Sequence, residues 1–291
     1  MIYIERLCKS FGEKVVFDNA DITVATGCIC GLVGINGAGK STLLRLISGV
    51  IRPDAGTVYF DGEPVYDNEK IKSKIFFLPD DPYYDTGVTG EKLRKLYKTF
   101  YQFDDSVFNG ITGKFKLDLK KPIRNFSKGM KRQLFIAAAL ACKPEYLFLD
   151  EAFDGLDPLA RLEFKRSLIE LQESGSTVII ASHSLRELED ICDSFILIDN
   201  NVVKVSGKIE NALNSIFKLQ VAFEEPILPK QLPFEYISAE ATGRVITVVA
   251  RGDKEAIKAS ILKMNPLILE EIPMDFEDMF IEEVRERGYL K

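Results

Sequence analysis

One stretch sets glycines, a lysine and a hydroxyl at a spacing that suits a polyphosphate. Gly34-Ile35-Asn36-Gly37-Ala38-Gly39-Lys40-Ser41-Thr42 reads G-x-x-x-x-G-K-[ST]. Glycines let backbone N–H groups turn inward on phosphate oxygens, and a helix that starts there aims its positive end at them. In such a loop the lysine reaches the β- and γ-phosphates and the hydroxyl ligates Mg²⁺. Lys40 and Ser41 take these roles, with Gly34, Asn36, Gly37, Ala38, Gly39 and Thr42 completing the cradle. Four constrained positions coincide by chance in roughly 1% of chains this long.

Two further groups belong with the loop. Asp150-Glu151 follows the apolar run Tyr146-Leu147-Phe148-Leu149. A carboxylate at the C-terminal end of a parallel strand, beside a phosphate loop, suits Mg²⁺ held through water. The next residue then suits the water that attacks a γ-phosphate. An acidic pair alone could simply end a strand; with the loop it completes a hydrolytic set. His183 is the chain's single histidine. A lone histidine is usually structural, but this one follows an apolar run at 177–181 and so comes to the same sheet edge. Phe11 lies in Lys9-Ser10-Phe11-Gly12, where it either stacks on a nucleotide base or packs as a core aromatic beside the turn.

The elements that must position these groups are legible. Residues 28–33 are apolar and suit a buried strand. Residues 41–48 carry Leu43, Leu44, Leu46 and Ile47 and suit a buried helix, with Gly49 at its C-cap and Pro53 beyond. Residues 1–30 alternate apolar and polar, with a turn at Gly12-Glu13-Lys14, as an antiparallel section would. Residues 56–62 read as a strand ending in an Asp-Gly hairpin turn, and 75–78 as a buried strand closed by Pro79. Residues 143–200 alternate strand and helix, with Asp157-Pro158 as N-cap and first helical residue. A turn at Asn200-Asn201 leads into a strand at 202–205. Such alternation predicts a mainly parallel sheet covered by helices.

Between these parts lies a different segment. Residues 86–132 hold 12 Lys/Arg against 4 Asp/Glu, a net +8 in a chain whose total is −6. Its leucines and aromatics fall at helical spacing, so a helical insert is expected over about 86–142. From about 214 the character changes again. Residues 221–233 contain three prolines and read as linker, followed by strands at 234–239 and 244–249, a helix at 253–264, a strand at 267–272 and an acidic helix at 275–287. The expected organisation is one domain over 1–215 and a small α+β domain over 216–291.

Composition narrows the classes. Hydrophobic content of 46% and charged content of 28% are ordinary for a globular protein. The acidic balance argues against nucleic acid as a partner. The longest apolar run, 134–142, is far short of a membrane span, and residues 1–17 lack the apolar core of a signal peptide. The five cysteines read as reduced core thiols of a cytosolic protein.

Over residues 1 to about 215, the order and spacing of these motifs resemble the ATP-binding subunits of ABC transporters. The residues that carry the resemblance are the phosphate loop, Leu78-Pro79-Asp80, Phe126-Ser127-Lys128-Gly129-Met130, Asp150-Glu151, Gly155-Leu156-Asp157 and His183. The layout and tail look most like the ATPases of bacterial exporters whose permease is a separate chain. The implied fold is a P-loop NTPase of ABC type: a mainly parallel sheet with helices, an antiparallel β subdomain, a helical insert, and here a small C-terminal α+β domain. The implied cofactors are ATP and Mg²⁺. The implied partners are a second ATPase chain, identical or not, and an integral-membrane permease that holds the protein at the cytoplasmic face of the cell membrane. Two chains would sandwich two ATPs. Ser127 and the Gly129 backbone would touch the γ-phosphate bound by the facing chain, and Asp157 would bridge to that chain. Glu151 and His183 would be catalytic, and Ser41, Asp80 and Asp150 would hold the metal.

Four positions depart from the family pattern. Lys128 and Met130 stand where the signature usually has glycine and glutamine, which predicts weaker ATP-driven pairing or help from another chain. Asp80 replaces a glutamine, and Phe11 a tyrosine. The basic insert lies where the family meets its permease, so its charge either favours anionic lipid, at about 1 kcal/mol per nearby cation, or is a solvated helical face with some charges aimed at nucleotide. Two other functions remain to be weighed. A repair-type ATPase would need a long coiled coil and a ribosomal one usually two cassettes; neither pattern is present. A nucleotide sensor would not need Glu151.

Overall fold

The computed structural model describes residues 1–199, 202–208 and 216–286. The chain forms two compact units, Met1–Ser206 and Gly207–Lys291.

In the first unit, β1 (Ile2–Phe11) and β2 (Lys14–Val24) form an antiparallel pair. The buried strand β3 (Ile29–Val33) then leads through the glycine loop into α1 (Lys40–Ile47). Next come β4 (Ala55–Phe60), β5 (Glu63–Pro64), the short helix α2 (Glu69–Lys72) and β6 (Ile75–Leu78). Asp61 and Gly62 both take positive φ between β4 and β5, as the Asp-Gly turn requires. The insert contains α3 (Gly90–Phe100), α4 (Asp105–Lys114) and α5 (Lys128–Ala141), with a 3₁₀ turn at Ile123–Asn125. After it come β7 (Tyr146–Asp150), α6 (Pro158–Glu173), β8 (Thr177–Ala181), α7 (Leu185–Glu189), β9 (Ser194–Asp199) and β10 (Val202–Lys208). The expected turn at Asn200-Asn201 falls outside the described residues.

Two sheets result. One is antiparallel, in the order β2-β1-β4-β5; the other runs β10-β9-β3-β8-β7-β6, with parallel pairing from β9 through β6. Every residue of β3, β7 and β8 is buried, as strands covered on both faces must be. One core contains Ile4, Phe17 and Phe60 from the antiparallel sheet, Leu43, Leu44 and Leu46 from α1, and Leu32, Phe148 and Ile179 from the parallel strands. Burial of such side chains stabilises by about 1.5–3 kcal/mol each. The apolar faces of α1 are therefore occupied, and its N-terminus is fixed beyond the C-terminal end of β3.

Cys30 is buried, and burial pushes its thiol up to about 12. Cys28, expected in the core, is half-buried. All five cysteines are free thiols.

The second unit is a four-stranded antiparallel sheet in the order β12-β13-β11-β14, with helices at Lys254–Leu262 and Phe276–Glu286. Its strands are β11 (Ile216–Ala222), β12 (Ser238–Thr242), β13 (Val245–Arg251) and β14 (Ile268–Ile272). Two expectations need correction. The linker read at 221–233 begins too early, because Val221 is fully buried in β11 and pairs with Ile246 and Leu269. The alternation of Phe217, Leu219 and Val221 was the signal, outweighed in the sequence by the prolines that follow. The strand read at 234–239 instead occupies 238–242, where its ladder with β13 runs from Ser238–Val249 to Thr242–Val245.

Candidate nucleotide site

The register of the parallel sheet assembles the site. Leu32 lies opposite Ala181, Asp150 opposite Ala181, and Leu78 opposite Leu149. The loops that leave β3, β8, β7 and β6 therefore emerge from one edge, carrying the glycine loop, His183, Asp150-Glu151 and Asp80.

Gly37 and Gly39 take φ of 82° and 111°, which side chains adopt at a cost. Space is also short: a Cβ at Gly39 would come within 2.8 Å of Val16, and one at Gly34 within 2.6 Å of the Ile198 carbonyl. Gly39 caps α1 without a side-chain hydrogen bond, leaving N–H groups of the first turn directed at the loop. Asn36 lies on the exposed rim and Ala38 is half-buried, its N–H donating to the Ile35 carbonyl at 3.1 Å. Thr42 is half-buried in the first turn of α1. The buried Lys40 donates to the Gly34 carbonyl at 2.7 Å. Burial lowers its pKa, while Glu151 and Asp150 oppose that shift. The cradle is thus lined by main-chain donors and one desolvated ammonium, which fits phosphate.

The Ser41 hydroxyl donates to Asp150 Oδ1 at 3.0 Å. Asp150 is buried, and desolvation raises its carboxyl above the usual range, with the Ser41 bond acting against the rise. A hydroxyl beside a buried carboxylate is a hard-oxygen pair of the kind Mg²⁺ takes.

Glu151 is held at φ 48°, a left-handed conformation uncommon for a residue with a side chain. Its Oε2 accepts from the His183 backbone N–H at 3.2 Å and lies 2.8 Å from His183 Nδ1. That contact is the main reason the histidine pKa is raised, against a smaller desolvation effect. The two residues expected to be catalytic are therefore in direct contact.

Other expected residues sit elsewhere or differently. Ser127 caps α5, accepting from the Met130 N–H at 3.2 Å. Gly129 packs against Gly155, whose carbonyl a Cβ there would meet at 2.6 Å. Asp157 is the exposed N-cap of α6 and accepts from the Ala160 N–H. Phe11 is 52% exposed with Lys9 over its ring, so it is not the core aromatic of the alternative reading. The Asp80 carboxylate meets Arg132 at 2.7 Å, a partner that sequence reasoning missed. Asp154, also missed, lies 3.8 Å from both His183 and Lys128. Much of the insert's charge is matched, with Arg94, Lys98, Lys114 and Arg132 in ion pairs.

This fold and site define a P-loop nucleoside triphosphatase. The family model described as "ABC transporter" matches residues 17–154. An ABC transporter ATP-binding protein of Synechocystis sp. is 31% identical, over 92% of this chain and 78% of its own length. Nod factor export ATP-binding protein I of Ralstonia nicotianae is 32% identical, over 72% of this chain and 67% of its own. The solved structure of an ATP-binding subunit of an ABC transporter aligns with a TM-score of 0.68 and 27% identity, over 74% of this chain and 92% of that one. The chain belongs to the ABC transporter ATP-binding proteins and is an ATP-binding, ATP-hydrolysing subunit of that family. Among the described residues, no helix is long and apolar enough to cross a membrane.

Proposed function

We propose that two ATPase chains, this one with its copy or with a second ATPase, close around two ATPs and drive a separate membrane permease that works as an exporter. The observation that carries the reading is the meeting of Ser41 with Asp150, and of Glu151 with His183, at one sheet edge. The loop N–H groups and Lys40 bind the phosphates. Ser41 and Asp150 hold Mg²⁺, which when bound neutralises charge on the β- and γ-phosphates. His183 fixes the Glu151 carboxylate, and Glu151 orients and polarises the attacking water. Phe11 stacks on the base. Ser127 and the Gly129 backbone, at the start of α5, meet the γ-phosphate held by the facing chain, and Asp157 bridges the two chains. Export is supported by the likeness to the Nod factor export protein. The permease would hold the protein at the cytoplasmic face of the membrane. We assign the ATPase domain to about 1–215 and an accessory role in regulation or pairing to 216–291.

The test is Mg²⁺-dependent ATP hydrolysis as a function of protein concentration. Specific activity should rise with concentration and vanish in Lys40→Ala. Glu151→Gln should abolish turnover yet keep ATP bound and the dimer closed. Equal turnover in Glu151→Gln and the unaltered chain would sink the hydrolytic assignment and favour a sensor. Activity independent of concentration would overturn the sandwich.

A further inference from the structure

A cavity of about 380 Å³ lies between α4, α5 and α6. It shares no residue with the glycine loop, Asp150-Glu151 or His183. Its walls are mostly apolar, with Ile111 and Phe115 on the α4 side, Ile136 and Leu140 from α5, and Leu156 and Phe164 on the α6 side. Small-molecule sites are of this kind: apolar clefts of about 300–1,000 Å³ with a few placed polar groups. An apolar cavity of roughly 150 Å³ holds one benzene ring, so this one has room for a ring with a substituent at each end.

The polar groups at the wall fall into two sets. Some are already used. The Ser106 hydroxyl donates to Asp104, the Ser167 hydroxyl donates to the Glu163 carbonyl, and Lys114 is paired with Glu163. Two are not. Gln133 is only 8% exposed, yet among the described residues nothing hydrogen-bonds its amide, and the wall it contributes to is that of the cavity. A buried amide left unpaired is destabilising, and native structures rarely keep one without a reason. Glu170 is exposed at the cavity and has no ion pair among the described residues.

The helices place these two groups at opposite ends. α5 and α6 start side by side, where Gly129 abuts Gly155. α4 returns against them, its start tied to the end of α5 by the Asp104 N–H on the Ala141 carbonyl at 2.7 Å. Gln133 therefore lies toward Leu156, and Glu170 toward Leu140 and Ser106. The seven residues from Gln133 to Leu140 set the ends about 10 Å apart. With Lys114 matched by Glu163, the charge left at the wall is the Glu170 carboxylate, which favours a cation over an anion of the same shape.

We propose that this cavity binds an organic amine, its apolar ring against Ile111, Ile136 and Phe164, its uncharged hydrogen-bonding end on the Gln133 amide and its ammonium on Glu170. The amide supplies one donor and one acceptor to the inner end. The carboxylate selects the charge at the outer end.

The test uses the full chain with labelled methyl groups and para-(aminoethyl)benzamide as the probe. Titration should move the methyl signals of Ile111, Ile136 and Leu140 and should saturate. Two analogues isolate the charge: para-ethylbenzamide lacks the ammonium, and para-(carboxymethyl)benzamide replaces it with a carboxylate. Both should bind about two- to fivefold more weakly, the carboxylate the more so. Gln133→Leu should weaken the amine about three- to tenfold and leave Tm unchanged or raised, since no partner is lost. Glu170→Gln should weaken the amine about two- to fivefold and leave para-ethylbenzamide as it was.

Absence of saturable shifts at those methyl groups overturns the site, and equal binding of the amine and the carboxylate overturns its charge preference. A lower Tm in Gln133→Leu would mean that the amide has a partner in the fold and is no anchor for a ligand. Glu170 is exposed, so its variant keeps the test open even then: unchanged amine affinity in Glu170→Gln overturns the place given to the ammonium.

Discussion

Gly129→Ala separates what the backbone needs from what space allows. Gly129 is the second residue of α5 and has no positive φ, so its conformation suits any residue. Its neighbourhood does not. A Cβ would stand 2.6 Å from the Gly155 carbonyl oxygen, where ordinary contact begins at 3.4 Å. Roughly 0.8 Å must therefore be found in two backbones, neither of which yields like a flexible side chain. Residues 132–141 of α5 are buried, so the shift falls on the first turn, which carries Ser127. Overpacking of this kind costs about 1–3 kcal/mol. For a unit of this size that lowers Tm by about 2–12 °C. With Ser127 in its proposed place against the facing chain's γ-phosphate, a misplacement approaching 1 Å should lower turnover by about 100-fold.

Gly155→Ala is the useful contrast. Its Cβ presses only on the flexible Lys128 side chain, at 3.3 Å, and lies at an ordinary 3.7 Å from the Gly129 nitrogen, while its φ of 77° opposes any side chain. It should cost about 1–2 kcal/mol with a smaller loss of turnover. Gly110→Ala, inside α4 with open space around it and no positive φ, should stabilise by about 0.5–1 kcal/mol. The assays are thermal unfolding and ATP turnover. Wild-type Tm together with wild-type turnover in Gly129→Ala would refute the close approach of α5 to Gly155.

Two further outcomes are expected. Glu151 raises the pKa of His183, so the folded chain favours the protonated ring. The resulting stability is complete below about pH 6.5 and fades as pH rises through the raised folded value. The ring is 58% exposed, so screening keeps the effect below about 1 kcal/mol. The Tm gap between the unaltered chain and His183→Gln should be larger at pH 6 than at pH 9; a pH-independent gap would count against the pair. Leu219 is fully buried in the core of the second unit. Leu219→Ala should destabilise that unit by about 2–5 kcal/mol, read as lost hydrogen-exchange protection of β11 and β13, and unchanged protection would argue that this core is not closed.

The sequence by itself determined the chemistry and the order of its parts. The glycine loop, Asp150-Glu151 and His183 each sit directly after an apolar run, and an apolar run bounded by turn residues reads as a strand whatever surrounds it. Those signals are local, and so were the Asp-Gly turn after β4 and the Asp157 cap of α6. The tertiary structure decided what meets what. Ser41 and Asp150 are 109 residues apart in the chain, and Glu151 and His183 are 32 apart; only the register of β3, β8 and β7 brings them together. The same holds for Arg132 with Asp80 and for Gly129 with Gly155. A sequence can mark Gly129 as a glycine of the signature segment, but the carbonyl that excludes a side chain there belongs to another loop. In the tail, local composition misled. Prolines at 226, 229 and 233 suggested a linker, while long-range pairing of Val221 with Ile246 and Leu269 made its first residues a central strand. Side-chain type and spacing are properties of the chain, whereas contact is a property of the fold.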